Sequence, residues 1–525
     1  MVMRTKKTRR RRYLGLGILA AAILSTAGWL LPGLLDEPSP PAQSQLVSDE
    51  RGVQDTRPRF APVSTTDIRR LRRAINSELR ALPSSSKFSI AVRGAGEARQ
   101  LLFEQNATTT LVPASNMKLF TAAAALSLLG PDHEFATRFL ANGTYQDGVL
   151  DGDLIIMGCG DPTISKRFLE TEDPMLPMVG LARLLKKSGL KAITGDIIGW
   201  TGAFGGPAKP ARWPTDPLWK WWMVEVTPLA FNDNQVDIRS FVADNRPRLE
   251  AIPNIGHVTF TNKLTLCDKS KSMAVSFQRP ATSSHFTVLG RLYKKTSGYI
   301  QGANVHDGSL YFTKALHRAA QAAGISVKGR PRTSSIPDRA TLSPLTEVYT
   351  YRSRLVDSLP IMLKKSQNLY AELILRAVGG SAADEGVSFE TSTNAILNWL
   401  QSAGCLESST RFADGSGLSR ANQISARQFN RLLHLMAKNP ALFAVYRDSL
   451  AQPGGLGTLR KRMPSLNGRI FAKTGTLNSI KALSGYALAA DGRHLTFSLL
   501  FNNTNTTLAR RIQDRICAHI VQVGQ

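Results

Sequence analysis

Cysteine is scarce in this chain and scattered: Cys159, Cys267, Cys405 and Cys517 have no second cysteine or histidine at metal-ligand spacing, which argues against a zinc site. Whether the thiols pair is open, since four cysteines allow several pairings and four small buried hydrophobes fit equally well. Acid is also short. Lys and Arg number 66 against 39 Asp and Glu, a formal net charge of +27, so the chain is drawn to polyanions: nucleic acid, anionic lipid or an acidic envelope polymer. With only 7% aromatic residues, no RNP-like aromatic pattern, no paired finger spacing and no dense basic helix in the body, nucleic acid is not expected as a partner. The eight histidines are dispersed, and no internal repeat occurs at solenoid periods. What is present is an ordinary globular mixture, 42% apolar and 20% charged over 525 residues, enough for roughly two or three folded units.

Seven cations (Arg4, Lys6, Lys7, Arg9, Arg10, Arg11, Arg12) precede an uncharged stretch from Tyr13 to Leu35, closed by Asp36. At about 1.5 Å per residue, Leu14 to Leu35 would cross a hydrocarbon core of roughly 30 Å. A shorter reading places cleavage after Ala27, behind an apolar core from Leu14 to Leu24. Residues 1–35 are thus a signal peptide or an inner-membrane anchor, and both readings export the body to the periplasm or cell envelope. Residues 36–65, rich in Pro, Ser and Gln, read as a linker.

Apolar residues recur at three- and four-residue steps from 66 to 82, predicting a helix, followed by β-like runs at 88–92 and 100–104 and an apolar helix from about Ser115 to Gly130. From 131 to 330 the texture changes to short alternating strands, with helices near 175–187 and 310–323. Helical patterns return at 352–363, 367–378, 391–403 and 425–437, and the runs 482–488 and 494–501 form a hairpin. The expected organisation is a catalytic unit in two parts, 66–130 and 331–525, split by an insertion at 131–330.

Three short motifs carry chemistry. Ser-x-x-Lys, Ser-x-Asn and Lys-Thr-Gly, in that order, mark penicillin-binding proteins and serine β-lactamases. Ser-x-x-Lys occurs at Ser84, Ser115 and Ser188, and Ser-x-Asn at Ser366, Ser392 and Ser465. Ser84 lies in a turn and Ser188 at a helix end. Ser115 stands where a helix begins, beside free backbone N–H groups that favour developing negative charge, with Lys118 on the same face. Ser366 and Asn368 also open a helical run. Lys473-Thr474-Gly475-Thr476 is the sole Lys-Thr-Gly, led in by a strand-like run, and Gly475 is expected to let a bound peptide approach the backbone. Each serine alone is also a plain helix cap; three motifs in this order in an exported chain are not so explained.

At these residues the chain resembles the D-alanyl-D-alanine carboxypeptidase/endopeptidases of the class C, low-molecular-mass penicillin-binding proteins, the penicillin-binding protein 4 type. About 250 residues between the first two motifs match that group's inserted domains, and Gly158 to Thr163 (GCGDPT), Asp414 to Arg420 (DGSGLSR), Pro453 to Leu459 (PGGLGTL) and Ala472 to Asn478 (AKTGTLN) are further family-like strings. The resemblance implies an α/β (α+β) fold: a penicillin-binding/serine β-lactamase-like transpeptidase domain, a sheet covered by helices, with a large β-rich insertion. It implies a serine hydrolase acting on peptidoglycan stem peptides, covalently inhibited by β-lactams, with no cofactor and no metal. It assigns Ser115, Lys118, Ser366, Asn368 and Lys473 to catalysis, Thr474, Gly475, Thr476 and Arg420 to substrate binding, and the N–H groups of Ser115 and Thr476 to an oxyanion hole. Lys118 must be discharged to act as a base, through burial and the charge of Lys473. One departure stands out: Gly195-Asp196-Ile197-Ile198-Gly199 is followed by Trp200, where such proteins usually have an aspartate, which leaves recognition of the peptide's third residue open. The alternatives are a serine β-lactamase, which the insertion disfavours, and a wall-binding scaffold that has lost turnover.

Overall fold

A computed structural model describes residues 62–95, 99–215, 217–335, 345–380 and 386–525. The expected signal or anchor segment and nearly all of the linker lie outside these residues. Among the described residues no helix is long and apolar enough to cross a membrane.

The centre of the catalytic unit is a five-stranded sheet in the order Ile470–Leu477, Ile480–Leu488, His494–Asn502, Lys87–Gly94, Leu101–Gln105, antiparallel throughout. The period-2 alternation of its strands decides which layer each residue joins. Leu495, Phe497, Leu499 and Phe501 face a core completed by Thr65–Leu79 and the C-terminal helix Thr506–Val521. Leu500, Ala482 and Tyr486 face a second core, filled by Lys118–Leu128, Leu355–Lys364, Asn368–Gly380 and Ala426–Ala437. The sheet is thereby sandwiched, and the helix after Ser115 is buried along almost its whole length.

Between Lys118–Leu128 and Leu355–Lys364 the chain builds three further sheets around a separate core of Phe139, Ile156, Leu181, Phe231, Phe286 and Tyr311. The long hairpin Glu134–Gln146/Val149–Met157 leads the largest of them, a seven-stranded sheet. This sheet takes two strands from beyond residue 330: Pro331–Ser334 pairs with Ile197–Trp200 and Thr346–Arg354 with Glu134–Gln146. Residues 352–354, read above as the start of a helix, therefore belong to a strand. Arg352 and Arg354 lie opposite Ala136 and Glu134, and the helical period begins only at Leu355, the first buried residue of Leu355–Lys364. The periodicity reading also omits two helices, Pro440–Asp448 and Thr506–Val521, whose N-caps Asn439 and Asn505 each accept two backbone N–H bonds.

All four cysteines are free thiols. Burial holds Cys159 and Cys517 above the usual thiol range, which makes them poor nucleophiles. Denatured protein should titrate four thiols per chain with a chromogenic disulfide reagent, and reductant should leave the native Tm unchanged. A lower count, or a Tm that falls on reduction, would reveal a bridge.

Candidate active site

Pro113 and Ala114 bring the chain into a 3-10 turn, Ala114–Met117, that continues directly as Lys118–Leu128. The helix expected from Ser115 is therefore tightened in its first turn. Ala114 sits at φ 48°, a left-handed conformation costing an L-residue about 1–2 kcal/mol. Its neighbours hold it there: a Cβ at Gly417 (φ 82°) would stand 1.8 Å from the Ala114 carbonyl oxygen, and one at Gly475 2.6 Å from that of Pro113. Gly475 is thus required so that strand Ile470–Leu477 can lie against the serine's own turn, a reason different from the peptide approach expected above. Asn116, fully buried, pins the turn by donating from Nδ2 to Ser484 Oγ at 2.8 Å.

Lys118 is fully buried. Its Nζ lies 2.8 Å from Asn368 Oδ1, 2.7 Å from the Ser416 carbonyl and 3.2 Å from Ser115 Oγ. The first two partners can only accept, so in a neutral amine they take both N–H groups and leave the lone pair directed at the Ser115 hydroxyl. Burial pulls the ammonium down to about 7, while Glu372 and Asp414 push it back up. Lys473 does not add to the lowering as expected. It is itself driven well below the lysine range, by burial first and then by the charge of Lys118, and burial alone accounts for the lowering at Lys118.

Lys473 Nζ donates to Ser366 Oγ at 2.9 Å and to the Thr474 carbonyl at 2.8 Å. Ser366 occupies φ 62° in the break between Leu355–Lys364 and Asn368–Gly380. The first, second and third motifs are thereby joined by side-chain contacts, Ser115 to Lys118 to Asn368 and Ser366 to Lys473. Thr474 Oγ1 donates to Thr458 Oγ1 at 2.8 Å, and Thr476 Oγ1 accepts from Lys481 Nζ at 2.7 Å. Arg420, exposed, donates to the Asn478 carbonyl at 2.9 Å. None of the decoys joins them: Ser188 bonds the Leu185 carbonyl and Ser392 that of Ser388.

Three groups come from the insertion. The Trp222 carbonyl accepts from Asn368 Nδ2 at 3.1 Å, Asp233 accepts from Gln367 Nε2 at 2.8 Å, and Trp213 Nε1 donates to Asp414 at 2.8 Å. Trp200 is elsewhere. It lines a cavity of about 910 Å3 with Leu128 and Leu129, at the end of the helix remote from Ser115, roughly 20 Å away along its axis.

The sequence reading omits Glu372. It is fully buried and accepts from the N–H groups of Ser416 (2.8 Å) and Gly415 (3.1 Å), so it holds the turn whose carbonyl grips Lys118. Burial and the neighbouring Asp414 keep its carboxyl above the usual range. The available signal was a lone charge within Leu369, Tyr370, Ala371, Glu372, Leu373, Ile374, Leu375, because an acid inside an apolar helix is retained only with partners.

The D-Ala-D-Ala carboxypeptidase 3 (S13) family pattern matches residues 71–523. The D-alanyl-D-alanine carboxypeptidase DacB of Haemophilus influenzae is 26% identical over 466 residues, covering 86% of this chain and 90% of that protein. The D-alanyl-D-alanine carboxypeptidase of Actinomadura sp. strain R39 is 26% identical over 449 residues, covering 80% and 79%. The crystal structure of penicillin binding protein 4 from Haemophilus influenzae matches in fold, with TM-score 0.72 at 23% identity over 84% of this chain and 99% of that one. Its complex with a β-lactam gives TM-score 0.68 at 24% identity, over 85% and 98%.

The geometry predicts that Lys118 titrates near neutrality. In protein carrying 13C at the lysine ε-carbon, one resonance, absent from Lys118→Met, should titrate at about 7. Glu372→Gln removes a carboxylate that stabilises the ammonium, so that midpoint should move to lower pH. An unchanged or raised midpoint would mean that Glu372 does not act on Lys118.

Proposed function

This chain belongs to the D-Ala-D-Ala carboxypeptidase 3 (S13) family and is a serine-type D-alanyl-D-alanine carboxypeptidase; we propose that Ser115 is its nucleophile and Lys118 the general base. The observation that carries this reading is the Lys118 amine, 3.2 Å from Ser115 Oγ with its other two contacts fixed on acceptors.

Lys118 takes the hydroxyl proton as Ser115 Oγ attacks the carbonyl carbon of the penultimate D-alanine. The N–H groups of Ser115 and Thr476 stabilise the oxyanion. The proton taken up by Lys118 is returned by way of the Ser366 hydroxyl, itself linked to Lys473, to the departing D-alanine amine as the carbon–nitrogen bond breaks, which leaves Lys118 neutral again and Ser366 with its hydroxyl proton. Asn368 keeps Lys118 oriented. A water activated by Lys118 then cleaves the Ser115 ester, releasing the shortened peptide and restoring the hydroxyl proton. The same steps on a cross-linked peptide constitute endopeptidase action. Penicillins enter at the first step and acylate Ser115, in keeping with the β-lactam complex of the Haemophilus influenzae protein.

Thr474 and Lys473 receive the substrate's terminal carboxylate, with Gly475 setting the strand's approach and Arg420 at the rim. Burial holds Lys473 well below the lysine range, so an arriving carboxylate favours its ammonium form and draws a proton to it on binding. Affinity for acid-terminated peptides should accordingly weaken as pH rises. The N-terminal basic and apolar segment supports export to the cell envelope, where peptidoglycan stem peptides are the substrate.

Release of D-alanine from a peptide ending in D-Ala-D-Ala, compared with its C-terminal amide, tests these roles. Wild type should strongly prefer the acid. Lys473→Ala should lose on the order of a hundredfold or more in kcat/KM for the acid, as expected when one partner of a partly desolvated ion pair is removed, and should show little preference. Equal discrimination in both proteins would transfer the carboxylate to another cation such as Arg420.

A further inference from the structure

Helix Ala426–Ala437 carries Arg427, Asn430, Arg431 and His434 at steps of three and four, a single stripe along its surface. With Arg93, Arg99 and Thr496 this stripe encloses a cavity of about 200 Å3 that contains none of the three motifs. Such a volume holds one small anion or a few waters, a water's share of liquid being about 30 Å3.

Among the described residues its charge does not cancel. Arg93 and Arg427 both engage Glu104, Arg93 Nε at 3.0 Å from Oε1 and Arg427 at 3.2 Å from Oε2, and Arg431 lies 3.7 Å from Glu407. Arg99 has no carboxylate partner among the described residues. Among the described residues four guanidinium groups therefore meet two carboxylates, with Lys438 nearby. Surrounding groups register the excess: burial chiefly, then Arg99 and Lys438, hold His434 down at about 4, and Arg99, Arg431 and Lys438 oppose the upward pull of burial on the Cys405 thiol.

The lining is also unsatisfied. Asn430 is 2% exposed, yet neither its Oδ1 nor its Nδ2 has a partner among the described residues, and Arg427 Nε is likewise buried and unpaired. Buried polar atoms in native proteins rarely go without partners. A cation excess beside an orphan amide is what an oxyanion completes: guanidinium forks match phosphate geometry, and Asn430 Nδ2 adds a neutral donor.

We infer that this cavity binds a single phosphate-type oxyanion, carried by a soluble phosphate ester or by a phospholipid headgroup. The site is separate from the reactive serine.

The test titrates the full chain, by calorimetry and by Tm, with inorganic phosphate, glycerol phosphate, and vesicles of phosphatidylglycerol against phosphatidylcholine. Arg431→Ala removes a cation at the cavity wall, and Asn430→Asp places a negative charge in it at nearly constant shape. Saturable binding of the soluble phosphates, weakened at least tenfold in the variants while penicillin acylation is unchanged, supports the inference with a soluble ester as the source. Binding of phosphatidylglycerol vesicles alone, weakened in the same variants, supports it with a lipid source. If Asn430→Asp does not fold, Arg431→Ala decides. Binding unaffected by the substitution, or no saturable binding of any probe, overturns it.

Discussion

The burial of one amine organises this catalytic centre. Lys118 starts a helix sunk in the core, and removing an ammonium from water is so costly that the group discharges or must be heavily compensated. Both happen in part. The amine falls to about 7, with Glu372 and Asp414 limiting the fall, and its hydrogen bonds go to Asn368 and to the Ser416 carbonyl, 250 and 298 positions away along the chain. Those two contacts draw the second motif and the Asp414-Gly-Ser-Gly turn onto the first. Glu372 then holds the turn through two N–H groups, and Asp414 fixes it further by accepting from Gly417, Ser419 and Asn422. The buried carboxylates therefore compensate the lysine's burial and shape the backbone that receives it.

Strain and the insertion act on the same point. Ala114, in the turn that leads into Lys118, and Ser366, which accepts from Lys473, both have positive φ, and such conformations persist where the surroundings over-determine them. Gly417 and Gly475 press on the first, while the break before Asn368–Gly380 requires the second. The insertion, though it has its own core, grips the second motif through Trp222 and Asp233 and the turn through Trp213. Through these bonds it fixes the positions of Asn368, Gln367 and Asp414.

The local part of this arrangement was legible in the sequence. Ser115 with Lys118, Ser366 with Asn368, and the strand leading to Lys473 are encoded within a few residues each, and helix starts and strand alternation separate them from the decoys. What stayed hidden depends on distant chain segments meeting. Gly475 reads as room for a ligand until Pro113 is found against it. Lys473 reads as an ordinary lysine until its burial beside Lys118 lowers it well below the lysine range. Glu372 looks like an ordinary helix acid, since the Gly415 and Ser416 N–H groups that justify it lie more than forty positions away. The strand Thr346–Arg354 was misread at its end because the amphipathic pattern of Leu355–Lys364 extends back over it by chance, whereas its partner strand begins at Glu134.

Covalent capture of the nucleophile tests the central claim most directly. After incubation with a penicillin, intact-protein mass spectrometry should show one adduct per chain, and peptide mapping should place it on Ser115, with none formed by Ser115→Ala. An adduct on Ser84 or Ser188, or full labelling of Ser115→Ala, would contradict the account; so would folded wild type that takes up no penicillin.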